Sequence, residues 1–306
     1  MQDNGYIVVV GGINMDIFGT SDTKLLPGDS NPGRVESAPG GVGRNIAENL
    51  CRMGCRTAML TVLGDDSHAA AIRESSAQLN LDLSHAITIP GRRTGTYLCV
   101  NDSDGDVTAA IADMGIYDLF TPDVIAPHMD WLNKADMVIV DANLPEESIT
   151  YIAENCTAPL ACDPVSVKKA GKFKPSLGHF ITLKPNRPEA QLLTGVAIDG
   201  LLGLDQAGQA MLDMGVKRVF ISLGSQGVYY TDGEVSGIQP CKKGTILNTT
   251  GCGDAFIAAA VLGYTKGMSI REMAAFGQAA SSVCAEADAA VNPDTTFQTV
   301  MERMEE

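Results

Sequence analysis

Basic charge, aromatic rings, paired cysteines and long apolar runs are all scarce in this chain, and each scarcity removes a class of protein. Only 22 Lys and Arg stand against 37 Asp and Glu over 306 residues, giving a net charge of −15. With a pI near 4.6, the chain repels nucleic-acid backbones and anionic membranes, so neither is expected as a partner. A small anionic ligand stays compatible, because a local nest of N–H groups overrides the global field. No apolar stretch approaches the roughly 18 residues of a membrane span. The opening MQDNGYIVVVGG carries no basic segment and too short an apolar run for a secretory leader. The 8 cysteines include no Cys-x-x-Cys pair and the 4 histidines are scattered, which argues against zinc and for reduced thiols in a cytoplasmic protein. One Trp and 5% aromatics leave the core to aliphatic residues and alanine.

Several chemical signatures are absent too. No G-x-x-x-x-G-K-[ST] occurs, which removes the ordinary P-loop, and no full G-x-G-x-x-G follows a strand. There is no serine nucleophile elbow. The run DSDGD at 102–106 has its glycine misplaced for a calcium loop and no closing glutamate, so it reads as a polar hairpin turn. Cys51 and Cys55 lie four apart on a helical pattern, where packing explains them.

What is present is an alternation. YIVVVGG, TAMLTVLG, ADMVIVDAN, APLACDPV, HFITLKPN and VKRVFISLG are short apolar runs ending in small or polar residues. Helical patterns such as GVGRNIAENLCRMG, PEESITYIAENC and RPEAQLLTG separate most of them. Strand–helix–strand repetition predicts an α/β fold with a mostly parallel sheet covered on both faces. Ligands of such sheets gather at the carboxyl ends of strands. Those ends carry Asn14, Asp16, Asn143, Asp163, Asn186 and Gly224, which predicts one shared crevice. Residues 17–39 and 93–114 break the rhythm and predict a small β lid, the second segment as a hairpin. No linker or repeat divides the chain, so residues 1–306 read as a single domain carrying that lid.

Four patterns admit both a structural and a functional reading. Asn14 and Asp16 follow the first strand and suit either a turn or a hydroxylated ligand. PGGVGRN places Gly40 and Gly41 before a helix and Asn45 just inside it. LKPNRPE sets Asn186 and Glu189 three apart at a helix start, where capping is the plain explanation. ISLGSQGVYY carries Gly224 and Gly227 after a strand. A fifth pattern, NTTGCGDAF, puts Asp254 between Gly251-Cys252-Gly253 and an apolar helix. Aspartate is a good helix-start residue; a glycine-led helix start is also an anion site, where a carboxylate needs a task of its own.

APGGVGRN and NTTGCGDAF, with LKPNRPE between them, resemble the two signatures of the ribokinase-like (PfkB) carbohydrate kinases, and the likeness runs through essentially the whole chain. More narrowly, DSNPGRVESAPGGVGRNIAENL, IADMGIYDLFTPD and TLKPNRPEA are similar to the branch of that family that phosphorylates pseudouridine on its 5′-hydroxyl. Other members acting on ribose, inosine or adenosine are the alternative within the family. An idle ligand-binding sensor of the same fold is the alternative outside catalysis. The resemblance implies a ribokinase-like three-layer sandwich, a β lid that often mediates a homodimer, a small sugar or nucleoside substrate, and ATP with Mg2+. It implies Asp254 as base, with Gly251, Cys252 and Gly253 offering backbone N–H groups to the transferred phosphoryl oxygens. Asn14, Asp16, Gly40, Gly41 and Asn45 would hold the ribose. Asn186 and Glu189 would serve the triphosphate and Mg2+, the glutamate through water. Ser222, Gly224, Gly227 and Gln278 would line the nucleotide. Ser30, Asn31 and Asp113, in the lid segments, are candidates for reading the uracil edge. The position six before the base is often Asp in members that bind a monovalent cation; here it is Asn248, so K+ would rest on carbonyls such as that of Thr250.

Overall fold

The computed structural model describes residues 5–306; MQDN, the start of the stretch read for a leader, lies outside them. The first half holds strands β1 (Ile7–Val10), β2 (Asn14–Ser21), β3 (Gly33–Gly40), β4 (Thr57–Leu60), β5 (Val62–Leu63), β6 (Ile87–Thr88), β7 (Thr96–Asn101) and β8 (Val107–Asp113). The second holds β9 (Met137–Asp141), β10 (Leu160–Asp163), β11 (Thr182–Leu183), β12 (Arg218–Ser222), β13 (Val228–Thr231) and β14 (Ser236–Gln239). Eight of them form one sheet in the order β14-β13-β12-β11-β10-β9-β1-β4. It is parallel from β4 to β12, and only the β12–β13–β14 edge runs antiparallel.

The period of a strand explains how one apolar run feeds two cores. In β1, Val8 and Val10 face one hydrophobic cluster while Ile7 and Val9 face the other. β9 divides in the same way, with Val138 and Val140 on one side and Met137 and Ile139 on the other. Helices Glu146–Asn155, Arg187–Thr194 and Gly200–Asp213 close the first face through residues such as Ile149, Leu193 and Met211. Helices Val42–Arg52, Cys252–Thr265 and Ile270–Cys284 close the second through Ile46, Ile257 and Phe276. The result is the three-layer α/β sandwich expected of the sequence. In helix Cys252–Thr265, residues 254 to 263 are all buried, so it lies within the protein with no polar face. Its alanines let the neighbouring helix approach closely.

Two details depart from the linear reading. TAMLTVLG is not one strand. The last contact of this strand with β1 is Gly11 N–H to the Leu60 carbonyl at 3.3 Å; beyond it β1 turns away, and Val62–Leu63 pairs with Ile87–Thr88 instead. Asn14 and Asp16 do not cap the first strand either. They lie on β2, inside a separate four-stranded sheet ordered β3-β2-β7-β8.

Register gives that second sheet two unlike faces. Asp16 is opposite Tyr97, which is opposite Ala112. One step along, Ile17, Leu98 and Ile111 share the other face, as does Val35 opposite Gly19. Val35 and Ile111 are 75% and 64% exposed, so an apolar surface looks outward while Asp16 and Tyr97 look toward the main sheet. Among the described residues no helix is long and apolar enough to cross a membrane.

Candidate active site

Helix Cys252–Thr265 begins where the carboxyl ends of the parallel strands open. Gly251 turns the chain into it at φ 81, left-handed backbone that glycine takes without strain; a Cβ there would also strike the Ala290 carbonyl. Among the described residues the N–H groups of Gly251, Gly253 and Asp254 have no acceptor, and that of Cys252 leans 3.4 Å from the Thr249 carbonyl. Unpaired first-turn N–H groups are a ready anion cradle.

Two cavities meet at this helix start. One, of about 440 Å³, is lined by Asn14, Asp16, Gly41, Asn45, Gly251 and Asp254, with Tyr97 and Met114 from the second sheet's side. The other, of about 370 Å³, is lined by Ser222, Gly224, Gly227, Gln278, Cys252 and Gly253. Cys252 and Gly253 thus face one space and Asp254 the other. Volumes of this size suit small-molecule ligands.

In the first cavity Gly41 starts helix Val42–Arg52 at φ 100. A Cβ on it would lie 2.7 Å from the Gly12 carbonyl and 2.8 Å from Asn14 Oδ1, so the close approach of the two chain segments depends on glycine. Gly40 lies beside the Asp16 carboxylate. Asn14 donates to Asp16, whose carboxyl is pushed up by burial against the pull of that bond and of Arg44. Asn45, on the first turn of its helix, reaches across to donate to Asp254 Oδ2 at 2.9 Å.

Asp254 lines the first cavity, beside Cys252 and Gly253 that line the second. Burial and the nearby Asp163 carboxylate raise its pKa to about 7, against the opposing pull of Lys184 and of the Asn45 hydrogen bond. A carboxylate poised near neutrality at a cavity wall has the properties of a general base.

Other predicted residues lie elsewhere. Asn186 and Glu189 form a reciprocal capping box on helix Arg187–Thr194. Asn186 Oδ1 accepts the Glu189 N–H at 2.9 Å, while Glu189 accepts the Asn186 N–H at 2.8 Å. Neither lines either cavity. Ser30 and Asn31 lie between β2 and β3, where Asn31 bonds Leu26 and Asp29 locally. Asp113 ends β8 beside the cavity-lining Met114, but its own surroundings are Arg92, Arg93 and Asp118. Asn248 spends both side-chain atoms on the backbone, donating to Asp288 and accepting from Thr250.

Several side chains outside the sequence signatures converge here, together with Asp163, which the sequence placed only among the strand ends of the shared crevice. Lys184 lines the second cavity and pairs with Asp163 at 3.0 Å. Asp141 takes the N–H groups of Gly12 and Asn143, both at 2.8 Å, and so fixes the chain at the end of β1. Val165 lines the first cavity in a left-handed conformation, φ 65, rare for a β-branched residue. The polar ends of APLACDPV and HFITLKPN were the signal for Asp163 and Lys184; Val165 left none.

A perturbed carboxylate on one cavity wall, next to unpaired helix N–H groups that border a second cavity, suits a phosphotransferase acting on a hydroxyl group. Residues 4–296 match the pfkB family carbohydrate kinases, and the chain belongs to that family, as a sugar or nucleoside kinase. It is 34% identical to the pseudouridine kinase of Escherichia coli (strain K12) over 308 aligned positions, covering 100% of this chain and 98% of that protein. A crystal structure of a putative sugar kinase from Clostridium perfringens superposes with a TM-score of 0.90 at 33% identity, over 99% of this chain and 96% of that one. The fold is also that of Arabidopsis thaliana ribokinase complexed with ribose and ATP, TM-score 0.87 at 23% identity, over 98% and 99%.

Proposed function

We propose that this protein transfers the γ-phosphoryl group of ATP to the 5′-hydroxyl of pseudouridine, giving pseudouridine 5′-phosphate and ADP. The observation that carries the kinase chemistry is Asp254, held near pKa 7 on the wall between the cavities. The substrate name rests on the likeness to the Escherichia coli enzyme. The acceptor occupies the Asn14–Asp16–Gly41–Asn45 cavity, its ribose hydroxyls bonded to Asp16 and Asn45. Asp254 takes the proton of the attacking hydroxyl. The N–H groups of Gly251, Cys252 and Gly253 stabilise charge on the transferred oxygens without reorganising. The nucleotide lies along Ser222, Gly224 and Gly227, with Gln278 toward the adenine.

Mg2+ is expected with the triphosphate, where it neutralises charge on the phosphate oxygens. Glu189 accepts from Asn186 through both carboxylate oxygens, at 2.8 and 3.0 Å, and would serve the ion through a water ligand bonded to the remaining lone pairs. Asn186 would act beside it on the triphosphate. For K+, Asn248 Oδ1 already accepts the Thr250 N–H, so the cation would lie mainly on carbonyls such as that of Thr250.

Residues 17–39 and 93–114 act as a lid on a single domain. Closure would bring Ser30, Asn31 and Asp113 toward the base. Pseudouridine presents a second ring N–H where uridine has C–H, and a carboxylate such as Asp113 favours it because a buried acceptor left unpaired is costly. The outward face bearing Val35, Leu98 and Ile111 is the proposed contact of a cytoplasmic homodimer. Sedimentation of Val35→Asp/Ile111→Asp as a monomer against a dimeric parent supports this; an unchanged mass refutes it.

The deciding experiment is ADP release coupled to phosphate transfer across pseudouridine, uridine, cytidine, adenosine, inosine, ribose and fructose. A preference for pseudouridine by orders of magnitude in kcat/KM is expected. Preference for another acceptor keeps the kinase and discards the substrate. Nucleotide binding with no turnover on any of them replaces the enzyme by a sensor.

A further inference from the structure

We propose that Lys184 is the cation that binds the transferred phosphoryl group, and that Asp163 is the positioning residue that holds its ammonium in place. The inference rests on the kinase reading of the two cavities and adds a residue pair that the glycine signatures do not contain.

Lysine is seldom buried without a partner or a task, and Lys184 is only 7% exposed. Its Nζ would lie 2.8 Å from a Cβ placed on Gly253, so the ammonium rests directly over the first turn of helix Cys252–Thr265. That is the positive end of a helix. An ammonium and a helix N-terminus repel each other unless an anion lies between or beside them. In the structure the anion is Asp163, at 3.0 Å. During turnover a phosphoryl group crossing from the second cavity to the first supplies another, because Lys184 lines the second and Asp254 the first.

Asp163 ties this cation to the acceptor side. Its Oδ1 accepts the Val165 N–H at 2.8 Å while its Oδ2 faces Lys184. Val165, held at φ 65, lines the acceptor cavity. One carboxylate therefore fixes both the wall against the nucleoside and the ammonium against the phosphate. As the acceptor oxygen bonds to phosphorus, the bond from phosphorus to the β–γ bridging oxygen breaks. Its electron pair leaves on ADP and the hydroxyl proton passes to Asp254. Lys184 keeps its proton throughout; Asp163 and Asp254 hold it there against the opposing effect of burial.

The test uses the full chain with Lys184→Met, Asp163→Asn and the double variant, each first checked for cooperative thermal unfolding. The double variant removes both charges, so neither is left buried and unpaired if a single variant fails to fold. Removing Lys184, alone or with Asp163, is expected to lower kcat/KM by about a hundredfold or more. By titration calorimetry it should weaken ATP binding about tenfold more than ADP binding, the signature of a lost contact to the third phosphate. The groups facing Asp254 are Asp163, Lys184, Asn45 and Asp141. Losing the Asp163 charge should move the acid limb of kcat/KM to lower pH, and losing Lys184 should move it higher. The opposite movements locate both charges beside Asp254, while the ATP-to-ADP affinity ratio separates a phosphate contact from a merely structural pair. Lys184→Met with unchanged kcat/KM and an unchanged ATP-to-ADP affinity ratio overturns the proposal. A wild-type protein that phosphorylates no acceptor refutes the kinase reading instead, and the affinity ratio still decides the role of Lys184.

Discussion

Replacing Asp254 with asparagine should make the protein nearly inactive and, at neutral pH and above, more stable. The carboxyl has been moved from 3.8 to about 7 by burial and by Asp163. A group with a raised folded pKa is harmless below its unfolded value, where both states hold the proton. Its penalty grows as pH rises, because the unfolded chain ionises first, and is complete once pH passes the folded value. At about 1.36 kcal/mol per unit, the displacement corresponds to about 4 kcal/mol at pH 8 and about 2 kcal/mol near pH 5.5. Asparagine keeps the shape and still accepts from Asn45, but carries no charge to desolvate. Urea denaturation of wild type and Asp254→Asn at both pH values reads the difference directly. The variant should be the more stable, by a margin about 2 kcal/mol wider at the higher pH, while turnover falls by about 10²–10⁴. Equal stabilities at both pH values would refute the placement of a strained base at the cavity wall. A stability gain that does not change with pH would assign the gain to packing rather than charge.

Gly41→Ala forces a Cβ to 2.7 Å from the Gly12 carbonyl at φ 100; it should destabilise the fold by about 1–3 kcal/mol and raise KM for the acceptor more than for ATP. Equal KM changes would detach Gly41 from the acceptor cavity. Asn186→Ala removes the capping box of helix Arg187–Thr194 and should cost about 1 kcal/mol in urea denaturation. No loss would mean that the box contributes nothing. Cys252→Ala keeps the backbone N–H and should leave kcat/KM nearly unchanged in steady-state assay. A large loss would give the thiol a direct part in binding.

The sheet was legible because its strands are buried on both faces, and such strands advertise themselves as apolar runs such as YIVVV and MVIV, ended by Gly, Asn or Asp. Splitting of TAMLTVLG was not, because whether Leu60 hands on to another sheet depends on where β1 ends, not on the residues of the run. Among the candidate site residues, glycines and their neighbours were readable as backbone features for a local reason. Gly41 and Gly251 hold left-handed backbone at helix starts, and such positions leave a mark in sequence. Asn186 and Glu189 show the limit of that mark. The same three-residue spacing serves capping and triphosphate binding, and the structure displays the cap.

The Lys184–Asp163 pair failed to stand out for the opposite reason. A lysine followed by proline reads as solvated surface, and Asp163 was legible only as one of several polar strand ends at a shared crevice. Their pairing is invisible until parallel strands β10 and β11 lie side by side, bringing the ends of two separate segments together. Their meaning is therefore electrostatic and tertiary. A buried ammonium, two nearby carboxylates and a helix N-terminus are each unfavourable when isolated from water, and only their mutual arrangement makes them tolerable. That arrangement holds Asp254 close to its midpoint of ionisation, which neither a solvated carboxylate nor one tightly paired with Lys184 would reach. Poise in this site is a property of the group, so the proposed base can be picked out from Gly-Cys-Gly-Asp but its readiness to take a proton cannot.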